Sequence, residues 1–461
     1  MEYAGTSALK NRWTDIFRRD SLVHLALMAS IVAATFQGYL KDRIAGPLPY
    51  ALSELFFIGA VLLWFAALAV RHEPVRGPGI IPATVLVLVL VPTLYLLHPG
   101  TPLLVKLAGL RGWSVFPIAC LMALTVVKSP GQLRAYVGLI LLLCAGTAVY
   151  GILQYQAGPE SVLDVSALAR ARKGGMLTYG LGGQSEFRAV STFALPAAFA
   201  AMMVLGILLA AGVAVGGATR SAMTRLTAAA LILLLFAGVV VSGTRAAMVG
   251  TLLGLGIMAW YRGVKLSTLA LIALVALAAY LAILFTAGRA WTRFESLLVQ
   301  EGLVWTRVYA PIYIGFTSLA DAPFGLGLGR SGVGVPFAMV QGSPSGLFRG
   351  GDGDIARAAV ELGVFGLLLL TLTLAIVIPR AARSIWLLRR TAAADLVLGI
   401  GAIVLSTAVM FLIGTPLSSV PQATIWWFML GGLFKLEMLQ DAGGDLESQF
   451  AAPGWQTTQF P

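Results

Sequence analysis

Long apolar segments separated by short polar connections constrain this chain more than any other feature of its sequence. Segments such as 21–40, 80–97 and 266–287 carry almost no charge. At about 1.5 Å per residue, a helix of about 20 residues crosses the roughly 30 Å of hydrocarbon in a bilayer. A helix satisfies its backbone hydrogen bonds internally, and the alternating pattern typical of a membrane β-barrel is missing. The sequence therefore predicts an all-α, polytopic integral membrane protein.

Composition and charge exclude a soluble protein. Charged residues make up 11% of the chain, against roughly 25% in soluble domains. The net charge of +12 would favour nucleic acid as the partner of a soluble protein, but here the basic residues lie mainly between apolar segments. We therefore expect membrane lipids around the chain and no nucleic-acid partner. Cys120 and Cys144 fall inside apolar segments, which favours small buried groups over a disulfide or a metal site.

Twelve membrane spans are predicted, with ends defined to within several residues. They lie near 21–40, 50–70, 80–97, 110–127, 136–154, 191–214, 226–242, 246–261, 266–287, 358–379, 396–414 and 422–435. The predicted plan has a cytoplasmic segment (1–20), nine spans with a loop near 155–190 (21–287), a large loop (288–357), three spans (358–436) and a cytoplasmic tail (437–461).

Two polar stretches, 155–189 and 288–357, carry ten arginines and lysines between them. With the amino terminus in the cytoplasm, the short cytoplasmic connections are all basic, as the positive-inside rule requires. The two long stretches then lie on the opposite face, where topology gives no reason for positive charge. We therefore expect them to hold the function.

Loops of about 70 residues in compact proteins are usually functional or disordered. We expect the larger stretch to be ordered. Aromatic and aliphatic residues recur at helical spacing over 291–309, which predicts amphipathic helices on the membrane surface. The glycine-rich run Pro323–Gly329 follows. It would let backbone approach a ligand closely, or it is a plain flexible turn.

Arg245 interrupts nearly continuous apolar sequence. A charge at the centre of a membrane helix costs at least about 2.5 kcal/mol, so Arg245 needs a partner, a wet cavity or an interfacial position. Gly243 could break the helix and leave a new helix start whose amide groups face an anion. The alternative is a tight external turn with a snorkelling arginine.

Other basic residues of the two stretches could hold a polyanion at the membrane face. Arg307 is a natural phosphate ligand because its planar fork donates two parallel hydrogen bonds, although it could equally bind lipid head groups. The remaining candidates are Arg170, Arg172, Lys173, Arg188, Arg330, Arg349 and Arg357. Each alone is an ordinary surface residue, whereas together they predict an anion site.

Three carboxylates follow near the tenth predicted span. Asp352 and Asp354 could accept a proton from an attacking hydroxyl, or form structural salt bridges. Glu361 enters the span itself, where an unpaired charge is costly. We expect Glu361 to pair with Arg357 or another basic group. The sequence contains no metal-binding cluster, and we expect no metal or other cofactor.

The order of these motifs is similar to that of a known superfamily. Ser242 to Arg245, then Arg307, then Asp321 to Gly327, then Asp352 to Gly366 resemble the O-antigen ligase and Wzy-type polymerase superfamily of bacterial membrane glycosyltransferases. The motifs cover about 242–366, and the hydropathy pattern extends the resemblance over most of the chain. A histidine often stands nine residues before the family's glutamate; Asp352 occupies that position here. This departure favours a polymerase-like or divergent member over a typical lipid A core ligase.

The resemblance implies a function at the periplasmic face of the bacterial inner membrane. The donor would be a glycan on undecaprenyl pyrophosphate, and the acceptor a hydroxyl of another glycan or of lipid A core. Arg245 and Arg307 would neutralise the charge of the departing pyrophosphate, with Asp352 or Asp354 as base. Transfer would invert the anomeric configuration without a metal.

Two other readings stay open at this point. An arginine-lined bundle would also suit a transporter or flippase of an anionic lipid-linked sugar, although the polar residues concentrate in one late loop. A purely structural membrane protein is the third reading. Polymerase and ligase share a donor and differ in acceptor, which the sequence does not identify.

Overall fold

The computed structural model is a bundle of apolar helices. It describes residues 5–45, 48–72, 74–166, 169–170, 177–181, 184–216, 221–263, 273, 277, 309–331, 353–411, 414, 416–417 and 419–442. Six helices in this part of the chain are long and apolar enough to cross a membrane, or seven if one bent pair counts as a span. The expectation of a helical membrane protein is confirmed at this level. Nearly all of the predicted ninth span and of the stretch 291–309, and most of the predicted tail, lie outside the described residues.

The helices of the first half are α1 (Gly5–Thr35), α2 (Gln37–Arg43), α3 (Leu48–Arg71), α4 (Ile81–Leu94), α5 (Leu103–Leu110), α6 (Ile118–Val126), α7 (Pro130–Ala157) and α8 (Glu160–Leu163). Those of the second half are α9 (Pro196–Gly216), α10 (Ala222–Ser242), α11 (Arg245–Arg262), α12 (Ala310–Asp321), α13 (Asp354–Leu388), α14 (Ala394–Met410) and α15 (Gln422–Asp441). Strands β1 (Thr178–Leu181) and β2 (Gln184–Phe187) form an antiparallel hairpin inside the predicted loop near 155–190.

Contacts between helix ends divide the bundle into two faces. Three ion pairs join neighbouring helices on one side, which we call the basic face: Arg71–Asp20, Arg134–Asp395 and Arg380–Glu437. The other side, the loop face, holds the end of α10 and the starts of α11 and α13. There the amide of Asp354 donates to the carbonyl of Phe411, just past the end of α14 (3.0 Å). The predicted functional residues in the described structure therefore gather at one end of the bundle.

Three helices are interrupted towards the loop face. The axis bends by 57° between α1 and α2, a π-helical segment (Arg111–Val115, the π-turn) separates α5 from α6, and α13 leaves helical geometry at Gly363. Interruptions free backbone groups that apolar surroundings cannot satisfy. Neighbouring segments supply the partners here: the amide of Tyr39, for example, donates to the carbonyl of Thr192 (2.9 Å).

Glycines let α9 and α14 pack closely. A side chain at Gly212 would meet the carbonyl oxygen of Asp395 at 2.6 Å and the amide nitrogen of Gly399 at 2.7 Å. Small residues at such crossings are typical of membrane helices, where close packing replaces the hydrophobic drive for association. The α9–α14 crossing thus depends on glycine at this position.

We expect Gly212→Val to lower the thermal unfolding temperature of the detergent-purified protein, because the added atoms force the two backbones apart. Overpacking of this kind costs about 1–3 kcal/mol. Gly146→Val in α7 is the matched control, since a side chain there meets nothing within 4 Å. Equal unfolding temperatures for the two variants would contradict the packing described.

Candidate functional site

The loop face holds most of the predicted site residues. The structure describes Arg188, Arg245, Arg330, Asp354, Arg357 and Glu361. Arg170, a candidate from the first polar stretch, forms an ion pair with Asp164. The other predicted residues, Arg172, Lys173, Arg307, Arg349 and Asp352, lie outside the described residues. Arg188 and Arg245 belong to an arginine turn at the start of α11, Asp354, Arg357 and Glu361 form a buried charge network at the start of α13, and Arg330 lies just after the glycine run.

The arginine turn brings Arg188, from the polar stretch 155–189, onto the connection between α10 and α11. Gly243 ends α10 in the left-handed region at φ 58°, and Arg245 is the first residue of α11. Arg188 Nε donates to the carbonyl of Ser242 (3.1 Å), and its Nη2 donates to Thr244 Oγ1 (3.1 Å). The guanidinium of Arg188 therefore lies on the turn immediately before Arg245.

Both sequence interpretations of Arg245 describe part of this geometry. The chain makes a tight turn between two helices, and Arg245 also opens a helix whose first amide groups carry partial positive charge. Arg245 is partly exposed. The guanidinium of Arg188 thus lies on the turn that leads into the helix beginning at Arg245, and positive charge beside a helix start favours an anion.

The buried network lies one turn into α13. Asp354, Arg357 and Glu361 share one face of the helix because they are three and four residues apart. All three are buried, with Arg357 Nε 3.4 Å from Glu361 Oε2 and Arg357 Nη1 3.9 Å from Asp354 Oδ1. The predicted pairing of Glu361 with Arg357 is confirmed. These contacts are ion pairs, and the hydrogen bond of Arg357 runs from Nη2 to the carbonyl of Gly109 at the end of α5 (2.9 Å).

The π-turn encloses this network from the other side. The Trp113 indole donates to Glu361 Oε2 (2.8 Å), and its ring lies 4.8 Å below the Arg357 guanidinium carbon. Gly112 leaves room for that guanidinium, since a side chain there would meet Arg357 Nη1 at 2.6 Å. π-helical segments often occur at functional sites. Here the segment presents Gly112 and Trp113 to the buried charges.

The glycine run Pro323–Gly329 packs on the break in α13. Its three glycines have φ values of 83°, 102° and 81°, which side-chain-bearing residues rarely adopt. The amide of Leu326 donates to Val360 (2.8 Å), and the amide of Val364 donates to Pro323 (2.9 Å). The close backbone approach expected of this run therefore occurs against the protein itself, and the run is a docked segment.

Arg330 and Ser331, which follow the run directly, hold it against neighbouring segments of the chain. Arg330 donates to Thr101 Oγ1 (2.9 Å) and to the carbonyl of Gly100, while Ser331 donates to Glu361 Oε1. Partial burial lowers the pKa of Arg330, although an arginine remains charged at neutral pH. In this structure Arg330, Arg357 and Glu361 bind protein groups. Their predicted contact with substrate stays a prediction.

A second charge pair at the π-turn was not singled out from the sequence. Arg111 Nη1 lies 2.6 Å from Glu54 Oε1, and Glu54 also accepts from Ser53 Oγ (2.6 Å) and from Gln37 Nε2 (3.5 Å). The sequence does contain a sign of this pair: Glu54 and Arg111 each place a charge within a predicted span, and such charges are costly unless they are paired. The π-turn therefore separates two ion-pair clusters.

The predicted base Asp354 is also engaged. Its Oδ2 accepts the amide hydrogen of Leu417 (2.9 Å), and its side chain is fully buried. A general base must reach the proton that it removes. Of the two predicted bases, Asp354 is therefore a structural residue in this conformation.

The chain matches no protein-family model and no curated protein sequence. Function is therefore inferred from the residues and their geometry. Among the described residues, the arginine turn is the feature best suited to bind an anion, and the buried network is best suited to hold the neighbouring helices in place.

We expect Arg357→Met to destabilise the protein by about 3–5 kcal/mol, because it leaves two buried carboxylates without their cation. The double variant Arg357→Met/Glu361→Leu should lose less than the sum of the two single variants. Thermal unfolding in detergent measures both values. Arg390→Met, at an exposed position on the basic face, is the control.

Additive losses in the single and double variants would contradict the proposed coupling of Arg357 and Glu361. A stable Arg357→Met variant with reduced ligand binding would instead favour the substrate-binding role predicted from the sequence.

Proposed function

We propose that this protein is a membrane glycosyltransferase that uses a glycan linked to undecaprenyl pyrophosphate. It would transfer that glycan to an acceptor hydroxyl at the periplasmic face of a bacterial inner membrane. The acceptor is another glycan, for a repeat-unit polymerase, or lipid A core, for an O-antigen ligase. The resemblance of the motifs supports this proposal, and the arginine turn is the structural observation that carries it.

The arginine turn suits a diphosphate lipid for three reasons. It lies at the end of the bundle, where a lipid head group would lie if the helices cross a membrane. Arg245 would offer a planar fork that matches phosphate oxygens, and Arg188, whose Nε and Nη2 hold the turn, adds positive charge beside it. The start of α11 adds backbone amides and a helix dipole of the right sign.

The proposed reaction needs stabilising charge more than acid catalysis. An acceptor oxygen attacks the anomeric carbon, the carbon–oxygen bond to phosphate breaks, and the lipid diphosphate leaves with the bonding electrons. Diphosphate is a stable anion, so arginines that neutralise its growing charge lower the barrier. The acceptor proton passes to a base, for which Asp352 is the candidate that remains.

In this proposal the buried network has a positioning role. Arg357 joins α13 to α5, and Glu361 joins α13 to the π-turn and to Ser331. The segment that follows Asp352 is therefore fixed at several points. A fixed scaffold matters because small displacements of catalytic groups reduce rates strongly.

A transporter of an anionic lipid-linked sugar is the second candidate. The bend between α1 and α2 and the break at Gly363 favour it, because interrupted helices are typical of transporter binding sites. Reconstituted vesicles separate the two candidates. Transport moves labelled lipid across the bilayer, whereas transfer changes covalent connectivity.

Arg245→Ala should reduce glycan assembly about 30- to 1,000-fold, equivalent to about 2–4 kcal/mol of lost transition-state stabilisation. The assay is a gel profile of surface and undecaprenyl-linked glycans in a strain lacking its own copy of the protein. Arg225→Ala is the matched control, because Arg225 is an exposed arginine at the basic-face end of the neighbouring helix α10. Single repeats would accumulate for a polymerase, and long undecaprenyl-linked chains for a ligase.

An unchanged glycan profile with Arg245→Ala, at normal protein levels, would contradict the glycosyltransferase assignment. Equal defects in Arg245→Ala and Arg225→Ala would show that general loss of positive charge, rather than a site at the loop face, causes the effect.

A further inference from the structure

We propose that a groove along α11 binds an anionic glycerophospholipid from the leaflet at the basic face. The groove has a volume of about 520 Å³ and is lined by apolar and aromatic residues of α11: Val249, Leu252, Leu253, Gly256, Ile257, Trp260 and Tyr261. Its residues recur every three or four positions, so they form one stripe of the helix.

The length of the stripe suits one acyl chain. From Val249 to Tyr261 the helix rises about 18 Å at 1.5 Å per residue, about three-fifths of the roughly 30 Å hydrocarbon thickness. Gly256 leaves a notch in the middle of the stripe, since a side chain built there meets nothing within 4 Å. The groove therefore extends along more than half of α11 and ends at the basic face.

A cluster of arginines and aromatic rings lies at the end of the groove on the basic face. Tyr261 packs edge-on against Trp386 (6.5 Å between ring centroids), and the Arg389 guanidinium carbon lies 3.3 Å from the Trp386 ring centre. Trp260 is 81% exposed beside them. Tryptophan and tyrosine favour the head-group region of a membrane, and arginine favours phosphate.

Arg262 adds a second positive charge at this end of the groove. It is the last residue of α11, directly after the groove, and its side chain is partly exposed. Arg262 and Arg389 together would attract an anionic head group, and basic sites between membrane helices commonly bind anionic lipids.

This lipid site is separate from the proposed reaction. Arg245 and Arg262 are at opposite ends of α11, so the donor diphosphate and the phospholipid would occupy opposite faces. The lipid site can therefore exist whether or not the protein transfers glycans.

The test is a titration of the detergent-purified full chain with dioleoyl phosphatidylglycerol and, separately, dioleoyl phosphatidylcholine. Native mass spectrometry gives the bound lipid, and thermal unfolding gives its effect on stability. We expect phosphatidylglycerol to bind more tightly and to raise the unfolding temperature. Arg389→Gln and Arg262→Gln should each weaken its binding about fivefold.

Gly256→Leu tests the groove itself. It should weaken phosphatidylglycerol binding about tenfold by occupying the space of the acyl chain, and it should leave the unfolding temperature without lipid unchanged. Gly146→Leu on α7 and Arg225→Gln on α10 are matched controls for the open glycine and for an arginine of the basic face.

Equal binding of the two lipids would overturn the proposal, because the groove would then be an unselective surface. Full binding in Gly256→Leu, or equal losses in Arg225→Gln and Arg389→Gln, would also overturn it. Arg245→Ala should bind phosphatidylglycerol as well as wild type, which separates failure of this site from failure of the proposed function.

Discussion

A charged side chain inside apolar surroundings must find its partner within the protein, and Arg357 shows how this bundle meets that requirement. Its guanidinium is 1% exposed, lies over Trp113 and contacts groups on α5 and α13. Breaking such a network leaves an uncompensated buried charge, which is strongly destabilising. The loop end of the bundle is therefore assembled around Arg357, and the arrangement of α5, the π-turn and α13 depends on it.

The glycines of this region follow from the same requirement. Gly112 leaves space for the guanidinium of Arg357, and Gly109 lets the run Pro323–Gly329 approach α5, since a side chain there would lie 2.2 Å from the amide nitrogen of Gly329. Gly363 interrupts α13, and the run supplies backbone partners around that break. A charge network and a set of glycines thus fix the run Pro323–Gly329 and the start of α13 against α5 and the π-turn.

Much of the helical architecture could be predicted from the sequence, because apolar length and the placement of basic residues are local signals. The break at Gly243 and the pairing of Glu361 with Arg357 are also local, since Glu361 lies one helical turn after Arg357. The role of Trp113 could not be predicted, because it contacts Glu361 across 248 residues of sequence. The docking of the glycine run is likewise a tertiary contact, so the sequence left its conformation open.

The central claim is that Arg188 and Arg245, which come from separate stretches of sequence, form one site for a diphosphate lipid. Native mass spectrometry of the purified protein with undecaprenyl pyrophosphate and undecaprenyl monophosphate tests it directly. The account predicts that wild type prefers the pyrophosphate and that Arg188→Ala/Arg245→Ala loses this preference while still binding both lipids weakly. An undiminished preference in the double variant would contradict the account.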